Sequence, residues 1–145
     1  MTVQYKHTIV QLVILFSLVF FLLGMGGGDG NSSAEVNLPL PEKNFPVVLT
    51  DNQGVTTQTA RMSWEGKNYL QGKYGNAKVT VPFAKIQQVR LFPGKDINPN
   101  AVLTEIKLKT GKTVQLAVDR TTKVYADTDF GQFEIFVKDL KSMDF

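Results

Sequence analysis

The chain has 145 residues, with sixteen Lys and Arg against thirteen Asp and Glu, one His and no Cys. Without Cys there is no disulfide, no thiolate nucleophile and no Cys-ligated zinc or iron–sulfur site. The one His, His7, lies in an N-terminal stretch of targeting character, so the folding part has no imidazole for Ser-His-Asp catalysis, Cys-His catalysis or a His-ligated metal.

Residues 1–25 read as a signal peptide or an N-terminal membrane anchor. Lys6 and His7 precede an apolar run over residues 8–23, and small residues come after it. As a helix that run is about 24 Å long, short of the roughly 30 Å hydrocarbon core of a bilayer. Cleavage is therefore the expectation. If the segment stays uncleaved, residues 8–26 hold the protein in the membrane, with Lys6 keeping the N-terminus cytoplasmic. Both outcomes export the folded part to the periplasmic side of a bacterial envelope.

Leu22, Leu23 and Gly24, followed by Met25 and three Gly, resemble the lipid-attachment signal of bacterial lipoproteins. Met25 stands where that family has the lipid-receiving Cys. A thioether cannot be acylated in that way, so the resemblance implies an envelope address without lipid attachment.

Residues 26–44 are rich in Gly, Ser, Asn and Pro and read as a flexible linker, with the Pro residues near 39 and 41 keeping it extended. Residues 45–145 read as one β domain. Residues 45–50 form the first strand candidate, and Asp51 to Gly54 supply a turn. Residues 55–64 and 67–71 flank Glu65-Gly66, a two-residue hairpin signal. That hairpin places Met62 opposite Tyr69, with Trp64 on the same face.

The stretch 78–92 carries the strongest internal signal. Val79, Val81, Phe83, Ile86, Val89 and Leu91 recur, 54 residues on, as Phe133, Ile135, Val137, Leu140, Met143 and Phe145. Alternation over the first three predicts a strand, the two gaps of three predict a tight helical or 3₁₀ turn, and the last pair predicts a second short strand. Used twice, this corner implies an internal duplication, with repeat units near 55–92 and 101–145. Pro82 falls on the outer face of its strand, as suits an edge.

After a Pro- and Asn-rich loop over residues 92–100, Val102, Thr104, Ile106 and Leu108 alternate with Leu103, Glu105, Lys107 and Lys109. Thr110-Gly111 turns the chain, and Val114, Leu116 and Val118 alternate in turn. Thr122, Val124 and Ala126 give a further strand. No stretch beyond residue 30 has helical periodicity. The expectation is an all-β fold of nine or ten short antiparallel strands, in a small barrel or two-sheet sandwich.

Chemistry-bearing candidates are few. Asp119, Asp127 and Asp129 lack the spacing of a calcium loop. Glu105 and Glu134 are the carboxylates open to a two-carboxylate hydrolase, the second alternative function. Residues 67–95 hold six basic residues and no acid, which suits either a solvated face or an anion site. Lys73, Tyr74, Lys78, Lys85 and Arg90 are the candidate polyanion-binding residues. An exported domain meets anionic glycans and lipid headgroups, not nucleic acid. The leading expectation is a non-catalytic envelope module that binds a partner or aids assembly, with no cofactor and no metal; an anionic glycan or lipid binder is the first alternative.

Overall fold

The computed structural model describes residues 39–41, 43–94 and 98–145. The targeting segment and most of the linker lie outside the described residues. Among the described residues no helix is long and apolar enough to cross a membrane.

The fold is all-β and antiparallel. The strands are β1 (Val47–Asp51), β2 (Thr56–Thr59), β3 (Met62–Trp64), β4 (Tyr69–Tyr74), β5 (Ala77–Pro82), β6 (Ile86–Phe92), β7 (Ala101–Leu108), β8 (Thr113–Asp119), β9 (Lys123–Thr128), β10 (Gly131–Phe136) and β11 (Leu140–Asp144). Eight of them form one sheet in the order β2-β1-β11-β6-β7-β8-β4-β5, and β10-β9-β3 form a second. Residues of both sheets share one buried core.

The large sheet does not close, so the barrel alternative is corrected. The sheet ends on β2 and β5, which are not bonded to each other. Two features keep it open. The chain leaves the large sheet after β2, and its continuation β3 pairs with β9 instead. The other edge, β5, runs into Pro82, which has no N–H to offer a further strand.

Alternation sets the core face. Thr57, Leu49, Met143, Val89, Ile106 and Val114 form one lateral row across six strands, each residue paired with the next. Leu49, Met143, Val89 and Ile106 in that row are fully buried. The β7–β8 hairpin turns through Lys109, Thr110 and Gly111, with Val102 opposite Val118 and Thr104 opposite Leu116.

The stretches 77–92 and 131–145 take the same local form, strand then 3₁₀ turn then strand. The turns are Phe83–Lys85 and Val137–Asp139. The turn accounts for only the first gap of three in each apolar skeleton. The second gap has another cause. Ile86 pairs with Leu108 and Gln88 with Lys107, leaving Gln87 as an extra residue; Leu140 pairs with Asp51 and Ser142 with Thr50, leaving Lys141 extra. Each is a β-bulge, which restores the inward direction of Val89 and Met143 one residue late. The second strand of each corner therefore begins at Ile86 or Leu140, earlier than the spacing suggests, and carries a bulge.

A second correction concerns the Glu65-Gly66 turn. It forms as a two-residue turn: Trp64 N–H donates to the Lys67 carbonyl at 2.8 Å, and Lys67 N–H returns to Trp64 at 3.0 Å. Glu65 (φ 51°) and Gly66 (φ 79°) both have positive φ, as the tight hairpin turn matching strand twist demands. Beyond that one bridge the strands part. Met62 pairs with Ala126 and Tyr69 with Pro82. Met62 and Trp64 are core residues, but Tyr69 is half-buried on the outer face.

Phe83 sits at the centre of the aromatic packing. Its ring meets Phe45 edge-on at 5.6 Å and Phe145 at 5.2 Å. It is fully buried, and its backbone N–H donates to the Asn68 carbonyl at 3.1 Å. Phe83→Ala should lower unfolding free energy by about 3–5 kcal/mol, read by denaturant or thermal melting. An unchanged melting curve would show that the core does not rest on this residue.

Candidate functional site

Lys73 and Lys78 stand directly opposite each other on β4 and β5. Leu70 and Gly72 of β4, with Val79 and Val81 of β5, face inward, so the two lysines share the outer face. Lys73 is also paired with Ala117 of β8. Directly opposed like charges destabilise a strand pair unless something compensates them. Neither lysine makes an ion pair among the described residues; the pairs present are Arg61–Asp127 and Lys123–Glu134.

The other three candidates lie apart. Tyr74 is paired with Ala77 on the opposite face of the hairpin from the lysines, and is 62% exposed. Lys85 is exposed in the first 3₁₀ turn, where its carbonyl accepts from Lys109 N–H at the β7–β8 turn. Arg90 is on the outer face opposite Glu105, a cross-strand partner of opposite charge. The basic stretch of the sequence is thus distributed over three places, and only Lys73 and Lys78 are brought together.

A cleft of about 440 Å³ adjoins them. It runs along the seam between β4 and β8, which share one register pair where β7 and β8 share seven. Gly72 makes the seam's close approach: a Cβ there would lie 3.0 Å from Leu116 Cβ and 3.1 Å from the Ala117 carbonyl oxygen. The strands then part toward the turn after Asp119. Lys73, Lys78, Glu65, Asp119 and Thr121 all line the cleft.

Both carboxylates are set by local backbone geometry. Glu65 holds a left-handed conformation at φ 51°, which costs a residue with a Cβ roughly 1–2 kcal/mol. Asp119 Oδ1 accepts from the Thr121 hydroxyl at 2.7 Å and from the Thr121 N–H at 2.8 Å. The hydroxyl first, and the amide after it, hold the Asp119 carboxyl below its ordinary value. That direction keeps it ionised and is opposite to what a general acid requires. In the sequence Asp119 stands out only as a metal candidate, and Glu65 only as a turn residue. The Asp-x-Thr pattern is the available signal for Asp119, as a side chain fixed by its own turn.

The remaining carboxylates serve the framework. Asp127 binds Arg61 through a charge-assisted contact at the point where the chain changes sheets. Asp129 is exposed in the β9–β10 turn. Glu105 and Glu134 lie on the outer faces of different sheets, and Glu134 is 2.8 Å from Lys123. Among the described residues no group of three carboxylates is placed to hold a metal ion. A shallower groove of about 520 Å³ runs between β2 and the exposed Phe130, with Asp129 as its charged residue.

Residues 41–145 match the sequence model of a protein family described as "Uncharacterised protein", and the chain belongs to that family. No curated protein and no solved structure matches the chain.

Thr121→Val removes the hydroxyl bond and leaves the amide bond. The Asp119 carboxyl should then titrate at higher pH, closer to its ordinary 3.8. For folding, the stability gained from these bonds is present above the ordinary carboxyl pKa and lost as pH falls through the lowered one. Carboxyl-carbon NMR titration of the two proteins checks the shift, and coincident curves would refute it.

Proposed function

We propose that this protein is an exported, non-catalytic β module of the bacterial cell envelope that receives an anionic group of its partner at Lys73 and Lys78. The observation that carries this reading is the pair itself: two lysines set side by side at a cleft, with no acid ion-paired to either among the described residues. A bound anion would relieve their repulsion. The partner is an envelope protein with an acidic surface, or an anionic glycan or lipid headgroup.

The rest of the chain fits this role. The N-terminal apolar segment supplies export, as a cleaved signal or a retained inner-membrane anchor, and residues 26–44 supply the spacer. We read the two sheets as layers of a small sandwich. The shared turn-and-bulge form of 77–92 and 131–145 reads as an internal duplication. A carboxylate-only hydrolase is the weaker reading, because the cleft's Asp119 is held ionised.

N-terminal sequencing of the protein from native soluble and membrane fractions should find a new terminus shortly after residue 24. An intact Met1 confined to the membrane fraction would assign the anchor instead. For the site, the protein should be retained on heparin or on phosphatidylglycerol vesicles and released by salt, since exposed charges are screened over about 8 Å at 0.15 M. Lys73→Glu/Lys78→Glu should abolish retention, whereas Arg90→Glu, opposite Glu105, should preserve most of it. Unchanged retention of the double variant would overturn the anion site.

A further inference from the structure

The cleft beside Lys73 and Lys78 carries charge of both signs. Glu65 and Asp119 line it together with the lysines, and none of the four makes an ion pair among the described residues. Four mutually accessible charges would ordinarily cancel one another by pairing. Here two of them are fixed by local backbone geometry. Glu65 is fixed by its left-handed turn position, and its N–H is bonded to the Lys123 carbonyl at 3.0 Å. Asp119 is held by both Thr121 bonds. Lys73 is paired with Ala117, two residues from Asp119 on the same face of β8, so Lys73 and Asp119 are diagonal neighbours. Diagonal neighbours are within reach of a side chain as long as lysine, yet Lys73 and Asp119 make no ion pair among the described residues. The cleft that these four charges line, about 440 Å³, has room for a small ligand.

We infer that the cleft binds a small zwitterion, its oxyanion between Lys73 and Lys78 and its ammonium against Glu65 and Asp119. This rests on the anion site proposed above and adds the opposite pole to it. An ammonium offers three donors and a carboxylate accepts charge-assisted bonds, so each pole has a complementary receiver. The Thr121 hydroxyl already donates to Asp119, which keeps this carboxylate as an acceptor for the ligand. The required chemistry is a primary ammonium and a carboxylate or phosphate on one compact polar frame. A peptide with a free N-terminus and an ethanolamine phosphate headgroup both supply it.

Calorimetric titration of the full chain in a non-ionic detergent separates the possibilities. The probes are O-phosphoethanolamine, glycylglycine, N-acetylglycylglycine, inorganic phosphate and ethanolamine. At least one zwitterion should bind about tenfold more tightly than its single-charge counterpart, and which of the two does so identifies the source of the oxyanion. Asp119→Asn keeps an acceptor for Thr121 and removes only charge. It should weaken the zwitterion about tenfold while leaving phosphate binding unchanged or stronger. Lys73→Gln/Lys78→Gln should weaken both. If phosphate binds as well as either zwitterion and Asp119→Asn has no effect, the second pole is refuted and the anion site stands. If neither zwitterion nor phosphate binds and heparin retention is also absent, both readings fall.

Discussion

The packing of Phe83 between Phe45 and Phe145 holds three distant parts of the chain in one place. Phe45 leads into β1, Phe83 is the first residue of a 3₁₀ turn, and Phe145 comes directly after β11. The turn lets the chain leave edge strand β5 and enter the sheet again as β6, four places away. A strand that reverses into the interior must bury a large side chain at the reversal, or it leaves a void there. Phe83 fills that space. Its counterpart Val137 does the same where the chain passes from the small sheet to the large one, with its N–H bonded to the Thr122 carbonyl at 2.9 Å. Both turns lead at once into a bulge, so each corner is a change of direction and then a correction of side-chain facing.

How far the sequence discloses this depends on the range of the interaction. Alternation reports a residue's own face, so the inward sets of β7 and β8 are legible, although their pairing, such as Thr104 with Leu116, comes from the register. The spacing of the apolar skeleton also discloses both corners, because a 3₁₀ turn and a bulge each displace the inward set by one residue. It does not distinguish them. Two consecutive gaps of three look alike in a sequence, whereas the ladder shows one as a turn and the other as Gln87 or Lys141 standing outside the register. The parting of β3 from β4 is not legible at all. The Glu65-Gly66 turn is local and forms as its residues predict. The partner of β3 is instead decided by β9, some sixty residues away, which offers Val124 and Ala126 to Trp64 and Met62.

The same division governs the site. A run of six bases without an acid is visible in the sequence, but a run has no face. Strand alternation sends Tyr74 away from Lys73, and the register of β6 against β7 gives Arg90 its own acidic neighbour. Only Lys73 and Lys78 survive as a unit, because a tight hairpin sets them across from one another. The negative half of the cleft arrives from Glu65 and Asp119, at the ends of other strands, and nothing in their sequence neighbourhood ties them to the lysines. Their convergence comes from the single-pair seam between β4 and β8, which Gly72 permits and which has no periodic signature.

The position of the lysine pair has a consequence for how copies of the molecule meet one another. β5 is an edge of an eight-stranded sheet, and among the described residues no strand pairs with its outer side. An edge of that kind is a template on which a second copy can continue the sheet. Here any such approach brings four ammonium groups into one neighbourhood, and Pro82 removes a backbone donor at the end of the strand. The charges read as a receptor for ligand are therefore also a guard against self-assembly. An occupant that neutralised the pair would remove that repulsion.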